Sequence, residues 1–491
     1  MSGALISGLF LFGFLLVLLF LGLIFRMRAN TSRGFLTGGA QIGPILAAGM
    51  FAATFLSSSS SVGFTGFLYA AGWSGFTSIL GTALSLVIVG CFLVRKIRMH
   101  AGVGMETVSD LLADRYQSKT IRGLSAVAMV FLYVIFTAAE LIGLGKTLQV
   151  FIGWDYHVAV LVSAAFTVAF VLLGGMFAVA INDTICGFLG IGGLIVLAIV
   201  CLVNQGGLGQ MNLNMAAQDP ALVTTFTDAN GVFSTAALIA CISNAAVWGI
   251  GNSSHPVFLA QTFSSKSSRS VLKSMAISSV AIFLFYFSTM VMGGTSRVLF
   301  PGLSDTDQAF GLLSQQMLGP VGSAILLTAV AALVISTIDS CLLTAGAAFG
   351  NDLVVRTFGK YEDDDKKRLF MIRMGVVLVA VVGTALALIY GNSTVMVFQM
   401  FNFGASGAVF WVPIVFGLYW KRANKQGAIA AVIGGFVAYC IWFLTAYNST
   451  GLHPVLPGFI VALILMVVVS LSTATTDETV LLRYFPPKPG K

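Results

Sequence analysis

Apolar runs long enough to cross a lipid bilayer recur along this 491-residue chain, from its first residues to near its last, and no polar domain separates them. A span needs about 20 predominantly apolar residues. Thirteen stretches meet that length: 4–25, 42–71, 74–94, 123–152, 157–176, 178–203, 233–260, 271–296, 317–347, 371–391, 394–420, 426–447 and 455–473. The chain is 57% hydrophobic and 9% charged, against roughly 25% charged in soluble domains. No water-soluble surface can be built from that stock, so the expectation is one all-α membrane protein of thirteen transmembrane helices.

The charges fall where membrane topology wants them. Basic residues favour the cytoplasmic side. With thirteen spans, the clusters Arg26/Arg28/Arg33, Arg95/Lys96/Arg98, Arg115/Lys119/Arg122, Lys266/Arg269/Lys273, Arg356 to Arg373, Lys421/Arg422/Lys425 and Arg483/Lys488/Lys491 all land on one side. Of 26 Lys and Arg, only Lys146 and Arg297 then fall towards the other. This predicts an outward N-terminus and a cytoplasmic C-terminus. The net charge of +8 is thus topological and does not point to nucleic acid. The first run lacks a basic n-region and exceeds a signal-peptide core, so it reads as a retained helix. The six cysteines lie inside apolar runs without CxxC spacing, as packing residues. Residues 204–231 carry no Lys or Arg and are expected outside. Thr107 to Arg122, with Val108, Leu111 and Leu112, suggests a short surface helix, and Tyr361 to Arg368 a solvated loop.

Two spans carry polar and flexible residues at bilayer depth. One reads Ala52-Ala53-Thr54-Phe55-Leu56 and then five serines, Ser57 to Ser61. The other runs from Ser243 through Trp248, Gly249, Gly251 and Asn252 to His255-Pro256. Unwound backbone at that depth is tolerable only where protein or a water-filled cavity satisfies it. Two breaks about 195 residues apart point to a midplane binding site between repeats; small residues also serve close helix packing.

Charges at such depth cost at least ~2.5 to 3.5 kcal/mol on insertion scales, and Glu140, Asp183 and Asp339 lie there. Ser336, Asp339 and Ser340 share one helical face, and their oxygens suit a hard monovalent cation. Asp183 reads as part of such a site or as an interfacial residue. Glu140 reads as a solute contact, a proton carrier or a helix-bonding residue. Lys146 is expected to snorkel to the interface, and His255 either lines a cavity or bridges the break. No phosphate loop, metal-ligand cluster or nucleophile with a base suggests an enzyme.

The blocks Gly34 to Gly39, Ala53-Thr54-Phe55-Leu56-Ser57, Gly174-Gly175 through Asn182-Asp183-Thr184, Trp248-Gly249 to Pro256, and Ser336-Thr337-Ile338-Asp339-Ser340-Cys341-Leu342-Leu343 with Asn351-Asp352-Leu353 resemble the sodium/solute symporters. That family includes the sodium/glucose and sodium/proline carriers. The pattern is closest to the bacterial proline-carrier branch and extends to about Leu471. The resemblance implies a LeuT-type core of two inverted five-helix repeats whose first and sixth helices are broken. It divides the chain into an extra helix and linker (1–33), a first repeat (34–203), an extracellular loop (204–232), a second repeat (233–420) and two C-terminal helices with a short tail (421–491).

It also implies sodium-coupled uptake of a small solute across a plasma membrane, the bacterial inner membrane, with no obligate protein partner. Sodium would be held by the carbonyls of Ala53, Leu56 and Leu333 and the hydroxyls of Ser336 and Thr337. A second cation would lie at Asp183, Ser336, Asp339 and Ser340, although Asp339 stands where relatives carry hydroxyl residues. Solute contacts would come from Ser57, Ser59, Phe136, Glu140, Trp248, Asn252 and Phe403. Glu140 replaces a small or neutral residue of the proline carriers, and a carboxylate there suits a solute bearing an amine or quaternary nitrogen. Proton coupling on the same scaffold is the alternative. A membrane sensor would need a signalling domain, for which the short segment after Ser472 leaves no room.

Overall fold

A helix that is apolar all round has no face to offer water and is stable only in lipid or deep in protein. A computed structural model describes residues 3–38, 43–100, 105–228, 230–264 and 267–486. Gly39, the start of the 42–71 run, Lys266, Lys488 and Lys491 lie outside the described residues. Among the described residues, eleven helices are long and apolar enough to cross a membrane.

The membrane-length helices are α1 (Gly3–Phe25), α3 (Ser59–His100), α5 (Lys119–Ile152), α6 (Tyr156–Asn204), α8 (Thr235–Ala260), α9 (Ser268–Leu299), α10 (Gln308–Thr357), α11 (Asp365–Ile389), α12 (Val395–Tyr419), α13 (Lys425–Thr445) and α14 (Val455–Ser472). Shorter helices are α2 (Pro44–Phe55), α4 (Val108–Tyr116), α7 (Leu208–Gln218) and α15 (Glu478–Tyr484).

Thirteen apolar runs meet eleven helices because two helices each carry more than one run. The α3 helix continues from the second part of the 42–71 run through 74–94, and α6 covers both 157–176 and 178–203. Each is interrupted by a glycine in the left-handed region, Gly72 (φ 57°, ψ −139°) and Gly175 (φ 57°, ψ −165°). A side chain is rarely tolerated at such φ, so glycine marks these corners.

The helix starts follow from capping. Thr107 accepts the Asp110 N–H to open α4 (3.0 Å), Ser118 accepts Ile121 N–H to open α5 (3.3 Å), and Asn424 accepts Gly427 N–H to open α13 (3.0 Å). Each satisfies one of the donors that a helix start leaves orphaned.

Burial locates the core. The most apolar stretch of α1 is 17% buried, whereas those of α10 and α12 are 78% buried. α10 packs against α5 and α6, and α2 is held between α6 and α9. The centre of the protein is therefore made by the helices that carry Ser336 to Ser340, Glu140, Asp183 and Phe403.

Two expectations are corrected here. The α4 helix does not lie on the surface. Its Val108, Leu111 and Leu112 are buried, and so are Asp110 and Arg115. The Arg115 guanidinium donates to the carbonyls of Gly417 (2.6 Å), Ala423 (3.2 Å) and Trp420 (3.3 Å), tying α4 beneath the end of α12. The stretch Tyr361 to Arg368 is a loop only as far as Asp364, whose side chain accepts Lys367 N–H to start α11 (3.1 Å). Arg368 pairs with Glu106 at 2.5 Å.

Candidate functional site

The first interruption lies between α2 and α3. Helical geometry stops at Phe55, and Leu56 takes φ −109° and ψ 84°, its N–H bonding Ala53 O at 3.1 Å. Buried backbone groups must find partners, and the serine run supplies them. Ser60 Oγ accepts the Ser57 N–H (2.6 Å), Ser60 and Ser61 donate to Ser57 O (3.1 and 2.8 Å), and Ser57 Oγ meets Ser59 Oγ at 2.6 Å. The Ser58 N–H reaches outside the run to Glu140 Oε2 at 2.9 Å.

At the inner end of this break α10 presents a row of oxygens. Thr337 Oγ1 lies 3.2 Å from Ala53 O and 3.0 Å from Leu333 O. The neighbouring Ser336 hydroxyl bonds Asp183 Oδ1, and Ser340 Oγ lies 3.5 Å from Asp183 Oδ2. Helical spacing aims both serines at one carboxylate on α6. Asp339 faces the same helix but a different group, accepting from Asn182 Nδ2 at 3.3 Å, while its Oδ1 has no hydrogen-bond partner. Asp183 and Asp339 are fully buried, and among the described residues neither makes an ion pair with a basic side chain.

Above the break, twelve residues enclose a cavity of about 10 Å³, room for roughly one water molecule. They are Thr54, Phe55, Ser57, Ser59, Ser60, Phe64, Phe136, Trp248, Asn252, Phe258, Tyr286 and Phe403. The rings pack edge to face and tilted: Trp248 against Phe403 at 5.0 Å, Phe136 against Phe403 at 5.6 Å, Phe64 against Tyr286 at 5.2 Å. Asn252, 1% exposed, has neither amide atom bonded. The walls must part to admit a solute.

Six of the seven residues expected to touch solute line this cavity. Glu140 does not. It stands behind the serines, accepting from Ser58 N–H, Ser58 Oγ (2.8 Å), Ser59 Oγ (3.4 Å) and Gln399 Nε2 (2.8 Å). It is thus bonded to the interrupted segment and reaches the cavity through Ser59.

The α8 helix is interrupted at His255, which is extended (φ −66°, ψ 125°) before Pro256, as a residue preceding proline prefers. Its ring is fully buried behind Phe136 and Phe403, with Nε2 3.2 Å from the Asn402 amide and Nδ1 accepting Val257 N–H at 3.4 Å. His255 therefore bridges the break and does not line the cavity.

Lys146 corrects a further expectation. It does not snorkel to an interface. At 5% exposure it pairs with Asp307 (2.9 Å) and Asp305 (3.1 Å) and donates to Ser393 O (3.0 Å). Sequence reasoning also missed Gln399 and Asn402, although polar side chains in an apolar span are the signal that flagged Glu140. It missed Phe55, Phe64, Phe258 and Tyr286 because an aromatic residue in an apolar run carries no mark of facing a cavity.

Helices interrupted at Leu56 and His255, a closed central cavity and buried oxygens beside it are arranged as in the LeuT fold. The solved structures that the chain overlays have that fold. A sodium-coupled sialic acid symporter in its substrate-bound outward-open state matches with a TM-score of 0.79 at 18% identity, covering 96% of this chain and 99% of that one. The nucleobase-cation-symport transporter Mhp1 in a closed conformation matches at 0.56 and 14% identity, covering 93% and 98%. The profile of the sodium:solute symporter family matches residues 35–435, and the chain belongs to that family. Its curated relatives include the osmoregulated proline transporter OpuE of Bacillus subtilis, 25% identical over 94% of this chain and 93% of its own. The sodium/proline symporter of Staphylococcus aureus is 26% identical (93% and 91%) and the sodium/pantothenate symporter of Escherichia coli 28% identical (93% and 95%). Family and relatives are transporters, not enzymes.

Proposed function

We propose that the protein is a sodium-coupled symporter that imports a small organic solute by alternating access. The observation that carries this reading is the meeting of Thr337 Oγ1 with the Ala53 carbonyl at the interruption, beside Asp183. Carbonyl and hydroxyl oxygens can replace the water shell of a desolvated cation, and unwound helix ends supply them without burying another full charge. In this reading sodium is held by the carbonyls of Ala53, Leu56 and Leu333 with Ser336 and Thr337. A second cation takes Asp183, Ser336 and Ser340, with Asp339 adjoining. Solute contacts come from Ser57, Ser59, Phe136, Trp248, Asn252 and Phe403, and Glu140 acts from behind.

The corners at Gly72 and Gly175 are read as chain reversals, which turns eleven helices into thirteen spans. The repeats then run 34–203 and 233–420, joined by the outer segment 204–232 and flanked by 1–33 and 421–491. The basic clusters orient the N-terminus outside and the C-terminus in the cytoplasm.

Sodium between α2 and α10 would fix the interrupted segment whose serines wall the cavity, so each ligand raises the other's affinity, and linkage makes the effect reciprocal. Low internal sodium then favours release of both. The test is uptake into liposomes under imposed gradients. An inward sodium gradient should drive accumulation with no pH gradient present. Accumulation driven by a proton gradient without sodium would replace this reading with proton coupling, with Glu140, Asp183 or Asp339 as the proton site.

A further inference from the structure

Half-helix N-termini in broken-helix carriers point at anionic groups of the solute. Here the N-terminus of the helix that resumes after the break is already taken by the protein's own carboxylate. Glu140 accepts the Ser58 N–H at 2.9 Å and the Ser58 hydroxyl at 2.8 Å, and Gln399 holds its other oxygen at 2.8 Å. A solute carboxylate placed there would meet a like charge instead of a free N–H. The cavity beside it contains seven aromatic rings and, among the described residues, no basic side chain. Aromatic faces attract cations, most strongly where the cation is desolvated. Asn252 lines this space with both amide atoms unbonded, so a hydrogen-bonding group of the solute can find a partner there.

The charge balance points the same way. Glu140, Asp183 and Asp339 are completely buried, and no basic side chain pairs with any of them among the described residues. Lys146, the one buried lysine among the described residues, is engaged by Asp305 and Asp307. Sodium ions can answer the two aspartates. Glu140, which bonds the serines of the interrupted segment, is left to the solute.

We propose that the solute is an organic cation, an amine or quaternary ammonium without a carboxylate, whose charge rests on the cavity's aromatic rings within the field of Glu140. The proposal rests on the symport reading, since it assigns sodium to the aspartates.

Binding is tested on the purified full-length chain by thermal unfolding, with and without sodium. The probes are choline, tetramethylammonium and a primary monoamine, set against proline, pantothenate and glucose. The expected result is sodium-dependent stabilisation by at least one cation, with an apparent affinity at least 10-fold above that of any carboxylate or sugar. Glu140→Gln and, separately, Trp248→Leu should each weaken that cation's binding about 10-fold. Stabilisation of Glu140→Gln by sodium alone shows that the variant is folded. A panel in which no cation binds, in which a carboxylate or sugar binds most tightly, or in which folded Glu140→Gln binds the cation as well as the parent overturns the proposal. Cation binding that ignores sodium would support the solute class while removing the symport reading, so the two fail separately.

Discussion

A buried charge survives in a bilayer only with a partner or a ligand, and the protein solves this in two ways. Lys146 is answered by neighbours already in place. Its ammonium lies between Asp307 and Asp305, and Asp307 also accepts the Val395 N–H at 3.1 Å. Removing one partner leaves the other unpaired, at a cost of about 3–5 kcal/mol. Lys146→Met should therefore lower the unfolding temperature in detergent markedly, and Lys146→Met with Asp307→Asn should recover much of the loss. Equal destabilisation of single and double variants would show that the pair is not what holds this corner. The aspartates on α6 and α10 have no such answer. The sequence marks Asp183 as a charge at depth or at the interface and reads Lys146 as an interfacial anchor. It does not show which is neutralised, because the partners of Lys146 lie about 160 residues away and meet it only in the fold.

At the scale of elements, the site depends on helices that stop where the sequence lets them. Small residues in an apolar run also serve helix packing, so the five serines after Phe55 show their other use only in the structure, where each bonds backbone or neighbours. The α4 helix was misread for a related reason. Its mixture of Val, Leu, Asp and Arg is the pattern of an interfacial helix, but Arg115 is drawn inward by three carbonyls at the end of α12. Carbonyls at a helix C-terminus lack intrahelical partners and favour a cation. Arg115→Ala should therefore lower the unfolding temperature, and Arg115→Lys should recover less than half of the loss, because one ammonium cannot span the fork that a guanidinium fills. Full rescue by lysine would reduce the contact to simple charge.

For the whole molecule, the separation of roles follows from burial. Lipid-facing helices such as α1 supply apolar surface, while α5, α6, α10 and α12 carry the polar groups inward, where they meet α2 and α8 at their interruptions. The membrane class was legible in the sequence, since it depends on local composition. The aromatic wall was not, since Phe64, Phe258 and Tyr286 differ from the other aromatic residues of the apolar runs only in what faces them. In the proposed symport cycle the interrupted segment, which borders both the cavity and the adjoining oxygens, links cation occupancy to cavity shape. Direct measurement of radiolabelled sodium bound to the purified protein, with Ser336→Ala and Thr337→Ala beside the parent, tests that link at its source. Saturable binding in the parent, weakened about 10-fold in each variant as loss of one charged-group hydrogen bond or ligand of about 1.4 kcal/mol requires, is the predicted result. Sodium affinity unchanged in both variants would contradict the account.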